Sequence, residues 1–149
     1  MSFLIDLSEP EAKKGQRDPS RAIDYFTKLV STGIDIHVFI SSSYIALLPE
    51  EVLQAPTVYV TAVDGWKDTP AHTICSLQEL WENQPFSPTP LHDTPRFMAL
   101  QLSKTEYMAS AIGSNVFGAS HFAWVDFSIA HVFAPSTMEQ TLTFLAMLG

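Results

Sequence analysis

RAIDYFTKLVSTGIDIHVFI, residues 21 to 40, changes its period halfway along. In residues 21 to 31 the apolar side chains Ile23, Phe26, Leu29 and Val30 recur at three- and four-residue intervals, which places them on one face of a helix. Ser20 can cap that helix, and Gly33 stands where a C-terminal stop is expected. From residue 35 the pattern becomes DIHVFI, β-branched and aromatic, and it runs into the serines 41 to 43, as a strand entering a loop does. A helix followed at once by a strand is half of a βαβ unit, so the flanking sequence should supply the rest.

It does so on both sides. SFLIDL, residues 2 to 7, predicts a first strand that delivers Asp6 to its carboxyl edge, and SEPEAKKGQRDPS after it carries Pro10, Gly15 and Pro19 among charges, as a loop does. SYIALLPEEVLQ predicts a short helix or two, and PTVYVTAV, residues 56 to 63, a third strand followed by the loop DGWKDTPAH. SLQELWEN, 76 to 83, opens with a serine and has Glu79 in capping-box position, which predicts helix. Four prolines between 85 and 95 predict an extended connection. A helical pattern resumes through RFMALQLSKTEYMASAIGSN, with an interruption near Ser103 and an end at Gly113 to Asn115. HFAWVDFSI then reads as a fourth strand, and MEQTLTFLAMLG as a final helix. The alternation predicts a single α/β domain over residues 1–149, with a mostly parallel sheet flanked by helices.

Charge and composition narrow the function. A net charge of -8 opposes nonspecific contact with nucleic acid or an anionic membrane, both of which need a basic field. No run of apolar residues is long enough to cross a bilayer, and no signal peptide is visible. The single cysteine, Cys75, rules out an internal disulfide framework and suits a reducing compartment, so the expected location is cytoplasmic. The common signatures for dinucleotides, P-loop nucleotides, serine hydrolases and zinc are missing, and the five histidines have no ligand spacing.

Two features carry chemistry. Lys13, Lys14, Arg17 and Arg21 gather half of the eight basic residues into the loop after the first strand and the start of the next helix. In an α/β sheet that loop lies at the carboxyl edge, where ligands bind, and the helix N-terminus adds attraction for anions. The same residues also fit a solvated loop, and Lys104 fits either an exposed helix lysine or a phosphate contact. If the anion-site reading holds, the basic loop and Asp126 share the carboxyl edge. Asp126 is the second feature, a carboxylate between Phe122, Trp124, Val125, Phe127 and Ile129 in a run that suits a buried strand. Burying it unpaired would cost several kcal/mol. Two readings stay open: a carboxylate at a strand's end accepting hydrogen bonds from backbone amides, or a hard oxygen ligand for a divalent cation that holds a diphosphate.

The segment from Pro95 to Phe133, with Lys104 and SNVFGASHFAWVDFSIAHVF, resembles the bacterial HtrL/YibB family of glycosyltransferases. In that family a helix beginning near a lysine leads through an Asn-Pro-Phe-like turn to a strand of the type Phe-x-Trp-Ile-Asp-Phe-Gly-Ile. SFLIDL, the basic loop, SRAIDYFTKLVSTG and DIHVFIS are similar to the family's opening strand, arginine-bearing helix and second strand. Here Val116 replaces the proline, Ser128 replaces the glycine, and no second aspartate stands at 128. The resemblance implies a GT-A-like, Rossmann-like fold and transfer of a sugar from a nucleotide-diphosphate donor to an unknown acceptor. It implies Asp6, Arg17, Arg21 and Lys104 as donor- and phosphate-binding residues, and Asp126 as the ligand of Mn²⁺ or Mg²⁺. Eighteen residues follow His131, so the expectation is a domain without a full acceptor-binding part, or an inactive nucleotide-binding or interaction module derived from such an enzyme.

Overall fold

A computed structural model describes residues 2–4, 19–65, 69, 71–75 and 95–147. Its centre is a parallel sheet of three strands in the order β1 (Ser2–Leu4), β2 (Ile36–Ser41), β3 (Val58–Val63). Ser2 pairs with Val38 and Leu4 with Ile40; Ile36 pairs with Val58 and Ser41 with Val63. Parallel neighbours need a crossover between them. Helix α1 (Pro19–Val30) makes the first, and the short helices α2 (Ser42–Ile45) and α3 (Glu50–Leu53) lie in the second. The predicted α/β class with a parallel sheet is what the chain forms. The helix begins one residue before Ser20, at Pro19, where a missing N–H costs nothing because the first turn has no intrahelical acceptor. Gly33 follows α1 with φ +77°, a backbone region open mainly to glycine.

All six residues of β2 are buried, and its two faces serve different cores. Ile36, Val38 and Ile40 join Ile23, Phe26 and Leu29 of α1, Leu48, Val52 of α3 and Phe127 in one apolar cluster. Leu142 of the last helix, α7 (Pro135–Ala146), closes it. Phe39, on the opposite face, packs with Val63, Leu100 of α5 (Pro95–Leu102) and Tyr107 and Ala111 of α6 (Lys104–Ser114). Helical layers therefore cover both faces, which buries β2 completely, His37 and Ser41 included. A third cluster joins Ala71 and Cys75 to Ala99 and Met98, seating α4 (His72–Cys75) on α5.

Helices α5 and α6 meet at Ser103, the interruption expected from sequence. The Ser103 N–H donates to Ala99 O and the Tyr107 N–H donates to Ser103 O, each at 3.0 Å, so the ladder of one helix runs into the next. Asn115 ends α6 in the left-handed region, φ 35°, and its side chain bonds both polar groups of the Ala119 backbone.

Residues 121–126 form no strand, which corrects the expectation of a fourth one. Trp124 and Val125 there serve two layers instead of a ladder, and Phe122 is exposed. Trp124 packs against the Phe39–Tyr107 cluster, while Val125 and Phe127 belong to the cluster on the other side of the sheet. The Phe127 ring stacks on Phe26 at 4.3 Å between centroids. The run thus ties one layer to the other, then turns into a 3-10 segment, Ile129–Val132. β-propensity describes residues that fit a half-buried surface, and this stretch meets that condition without strand pairing. The expected helix at 76–83 and the proline-rich connection lie outside the described residues. Among those described, no helix is long and apolar enough to cross a membrane.

Candidate functional site

Parallel strands put Ser41 and Val63 at one edge of the sheet, and the residues just beyond them converge. The Ser42 hydroxyl donates to Asp64 Oδ1 at 2.6 Å. Beside this contact a groove of about 510 Å³ opens between β3 and α6, lined by Phe39, Thr61, Val63, Asp64, Glu106, Tyr107, Ser110 and Ala62. Its floor is aromatic, since Phe39 and Tyr107 stack at 4.7 Å. Its rim offers two carboxylates and several hydroxyls. Thr61 links the groove to His37, whose Nε2 lies 2.8 Å from Thr61 Oγ1. His37 is buried against Phe39 and Tyr59, and burial holds its pKa below the usual value of 6.5.

The run 121–126 meets the start of α6. Lys104 Nζ lies 3.3 Å from Asp126 Oδ1, and the Trp124 indole N–H donates to the same oxygen at 3.1 Å. The ammonium also sits 5.6 Å from the centre of the Trp124 ring, a cation–π distance. Asp126 is not buried: its side chain is 60% exposed, against 27% for Lys104. This corrects the picture of a charge sealed in an apolar strand. Trp124, Val125 and Phe127 beside it pack into the two layers and leave the carboxylate outside. Nor does it accept from backbone amides as the first reading had it; the donors described are an indole and an ammonium.

Of the residues singled out from sequence, Lys104 and Asp126 are brought together. Arg21 lies in the first turn of α1, exposed, with its guanidinium donating to the Tyr25 hydroxyl at 3.2 Å and standing 5.7 Å from that ring. Asp6, Arg17, Lys13 and Lys14 lie outside the described residues, so the shared edge expected of the basic loop and Asp126 concerns Arg21 alone. Sequence reading passed over Asp64 and Glu106. Asp64 had a signal, because it directly follows the strand VYVTAV and so reaches the ligand-binding edge. Glu106 had none, since one glutamate on a helix looks like any other.

Mg²⁺ and Mn²⁺ favour six oxygen ligands, and among the described residues no group of three His, Cys, Asp or Glu side chains could hold a metal. Oδ1 of Asp126 already receives a positive charge and an N–H. Among the described residues, Asp126 therefore stands without the further ligands that the metal implied by the resemblance would need.

No protein-family model matches the sequence, and no curated protein or solved structure matches it either.

Proposed function

We propose that the chain binds a nucleotide-diphosphate sugar at the carboxyl ends of its parallel strands, as the donor-binding core of a GT-A-like glycosyltransferase. The observation that carries this reading is the placing, along one helix, of a cation and a polyol-sized groove. Lys104, against the Trp124 ring, stands at the start of α6, and Glu106, Tyr107 and Ser110 of the same helix line the groove together with Asp64. Ligands of open α/β sheets bind outside the carboxyl ends of the strands, which is where Ser42 and Asp64 meet. Lys104 would face the diphosphate and offset charge that builds on it as the sugar leaves. The carboxylates and hydroxyls of the groove are acceptors and donors of the kind that hold sugar hydroxyls. Asp6, Arg17 and Arg21 remain proposed for the nucleoside and phosphate side.

A second reading, a binding module without turnover, is favoured by the state of Asp126. Its charge is already matched by Lys104, so it is poorly placed to recruit a catalytic ion.

Thermal melts in the presence of nucleoside diphosphates and sugar nucleotides, with and without Mn²⁺, test the proposal. A ligand that binds only the folded chain adds about 2.7 kcal/mol of stability at a hundred times its Kd, which raises Tm by several degrees. No shift with any of them would overturn the proposal. A shift without release of free sugar from the donor would favour the binding module.

A further inference from the structure

We infer that His37 sets the Thr61 hydroxyl as a hydrogen-bond donor to the groove, so that a ligand there must present an acceptor oxygen to it. Strand alternation puts Thr61 on the groove side of β3: Val63, two residues on, packs with Phe39 and Tyr107, and Thr61 itself pairs in register with Phe39. Thr61 is half-buried and lines the groove whose floor those two rings make.

The imidazole decides which way the hydroxyl bonds. His37 is 8% exposed, stacked on Phe39 at 4.5 Å and edge-on to Tyr59 at 4.9 Å, so its ring is held in place. Its two nitrogens are unequal. Nε2 lies 2.8 Å from Thr61 Oγ1, whereas Nδ1 is buried and has no hydrogen-bond partner among the described residues. A proton on Nδ1 would be a buried donor with nothing to receive it. Folded proteins rarely keep a buried N–H in that state and tolerate a bare acceptor more often. The ring's one proton therefore sits on Nε2 and is given to Thr61 Oγ1. Burial, the chief cause of the lowered pKa of His37, opposes a second proton at neutral pH.

Thr61 keeps its own proton for the groove. A hydroxyl has one donor and two acceptor positions; His37 fills one acceptor position, and no other hydrogen bond of the Thr61 side chain is found among the described residues. Asp64 and Glu106, as carboxylates, only accept, and Asp64 Oδ1 already takes the Ser42 hydroxyl. Thr61 thus supplies a donor beside acceptors, and His37 is a positioning residue that acts through it. An imidazole protonated at Nε2 cannot take the hydroxyl proton, so Thr61 is a binding group and not an activated nucleophile.

The donor role of Thr61 stands on this geometry; that its acceptor is an oxygen of the sugar rests on the donor-binding reading above. In the full chain labelled with ¹⁵N, long-range ¹H–¹⁵N correlation shows which nitrogen of His37 carries the proton, the ring being identified by its loss in His37→Phe. A proton on Nε2 with Nδ1 bare is expected. A proton on Nδ1 alone would overturn the inference, because Thr61 would then give its own proton to Nε2. This measurement uses the wild type, so it holds whatever a substitution at Thr61 does to the fold. Calorimetric titration of UDP-glucose, ADP-glucose and GDP-mannose, each beside its free nucleoside diphosphate, reads the ligand side. Thr61→Val keeps the shape and removes the hydroxyl. It should weaken the sugar nucleotide by about three- to tenfold and leave the nucleoside diphosphate unchanged, while Thr61→Ser binds as the wild type does. Equal affinity of Thr61→Val and wild type for the sugar nucleotide would overturn the inference and leave the donor-binding reading standing. Equal losses for sugar nucleotide and nucleoside diphosphate would also overturn it, by showing that the change acts on the whole site. Failure of all three sugar nucleotides to bind the wild type would sink the donor-binding reading and the sugar claim with it, while the tautomer still decides the role of Thr61.

Discussion

The two faces of β2 come from one six-residue strand, yet they differ in kind. Ile36, Val38 and Ile40 lie in an apolar cluster, with Phe26 fully buried among them and stacked on Phe127. His37, Phe39 and Ser41 meet a polar and aromatic layer that opens into the groove. Hydrophobic burial on the first face holds the sheet to α1 at about 1.5 to 3 kcal/mol for each fully buried large side chain. The second face keeps hydroxyls, an imidazole and an aromatic floor close to the carboxyl edge, the edge at which open α/β sheets generally take ligands. Stability and site are thus assigned to opposite sides of the same strand.

The largest expected effect tests that division directly. Phe26→Ala should lower unfolding free energy by about 3 to 5 kcal/mol, because the cavity it leaves is walled on all sides. Phe39→Ala, equally large a truncation, should fall near about 3 kcal/mol, since its void opens towards the groove and can admit water. Urea denaturation of both variants measures the difference, and equal losses would break the contrast between a closed face and an open one.

Asn115→Ala should cost about 1 to 2 kcal/mol, from the left-handed backbone that alanine tolerates poorly and from two lost hydrogen bonds to Ala119. Asn115→Gly relieves the backbone part, so the gap between the two variants in chemical denaturation separates strain from hydrogen bonding. This turn sets the course of the run that carries Trp124 to the groove-side layer.

His37 sharpens the comparison through pH. Its folded pKa lies below 6.5, so as pH falls past that value the unfolded chain takes up a proton that the folded one resists. Stability contributed by the neutral imidazole is complete above the unfolded pKa and declines as pH drops towards the folded one. Between about pH 8 and about pH 5 the urea midpoint of the wild type should therefore fall further than that of His37→Phe. Parallel pH profiles would show that this face contributes no such penalty.

The smallest effect belongs to the clasp outside the core. Lys104→Met should change unfolding free energy by no more than about 1 kcal/mol, as exposed ion pairs generally do. A loss several times larger, read from the same denaturation curves, would mean that the pair supports the fold and is not reserved for binding.

The contrast also explains what could be read from the chain. The helix at residues 21 to 30 and the strands either side of the α2–α3 crossover were legible because each is specified locally, by period and by punctuation at Gly33 and the serine triplet. The run around Asp126 was not, because its apolar residues answer to two different layers, and an apolar neighbour in sequence does not bury a carboxylate. The pairing of Lys104 with Asp126 joins the candidates proposed from sequence, but their distance and the part of Trp124 needed coordinates. The groove was invisible for a related reason: Asp64 and Glu106 lie far apart along the chain and become neighbours only when α6 crosses β3.

Ser103, fully buried where α5 meets α6, also works as a latch. Its hydroxyl donates to Ala99 O at 2.7 Å and accepts the Ala71 N–H at 3.3 Å, so it joins the helix pair to the residue that leads into α4. Cys75 lies behind that latch, 2% exposed, with burial raising its thiol pKa. A thiol reagent cannot reach it while it stays buried, so the rate of labelling at this sole cysteine times the opening of the structure around it. Ser103→Ala, which breaks the latch and keeps the helices, should set the clock running faster while the apolar face of β2 keeps its own time.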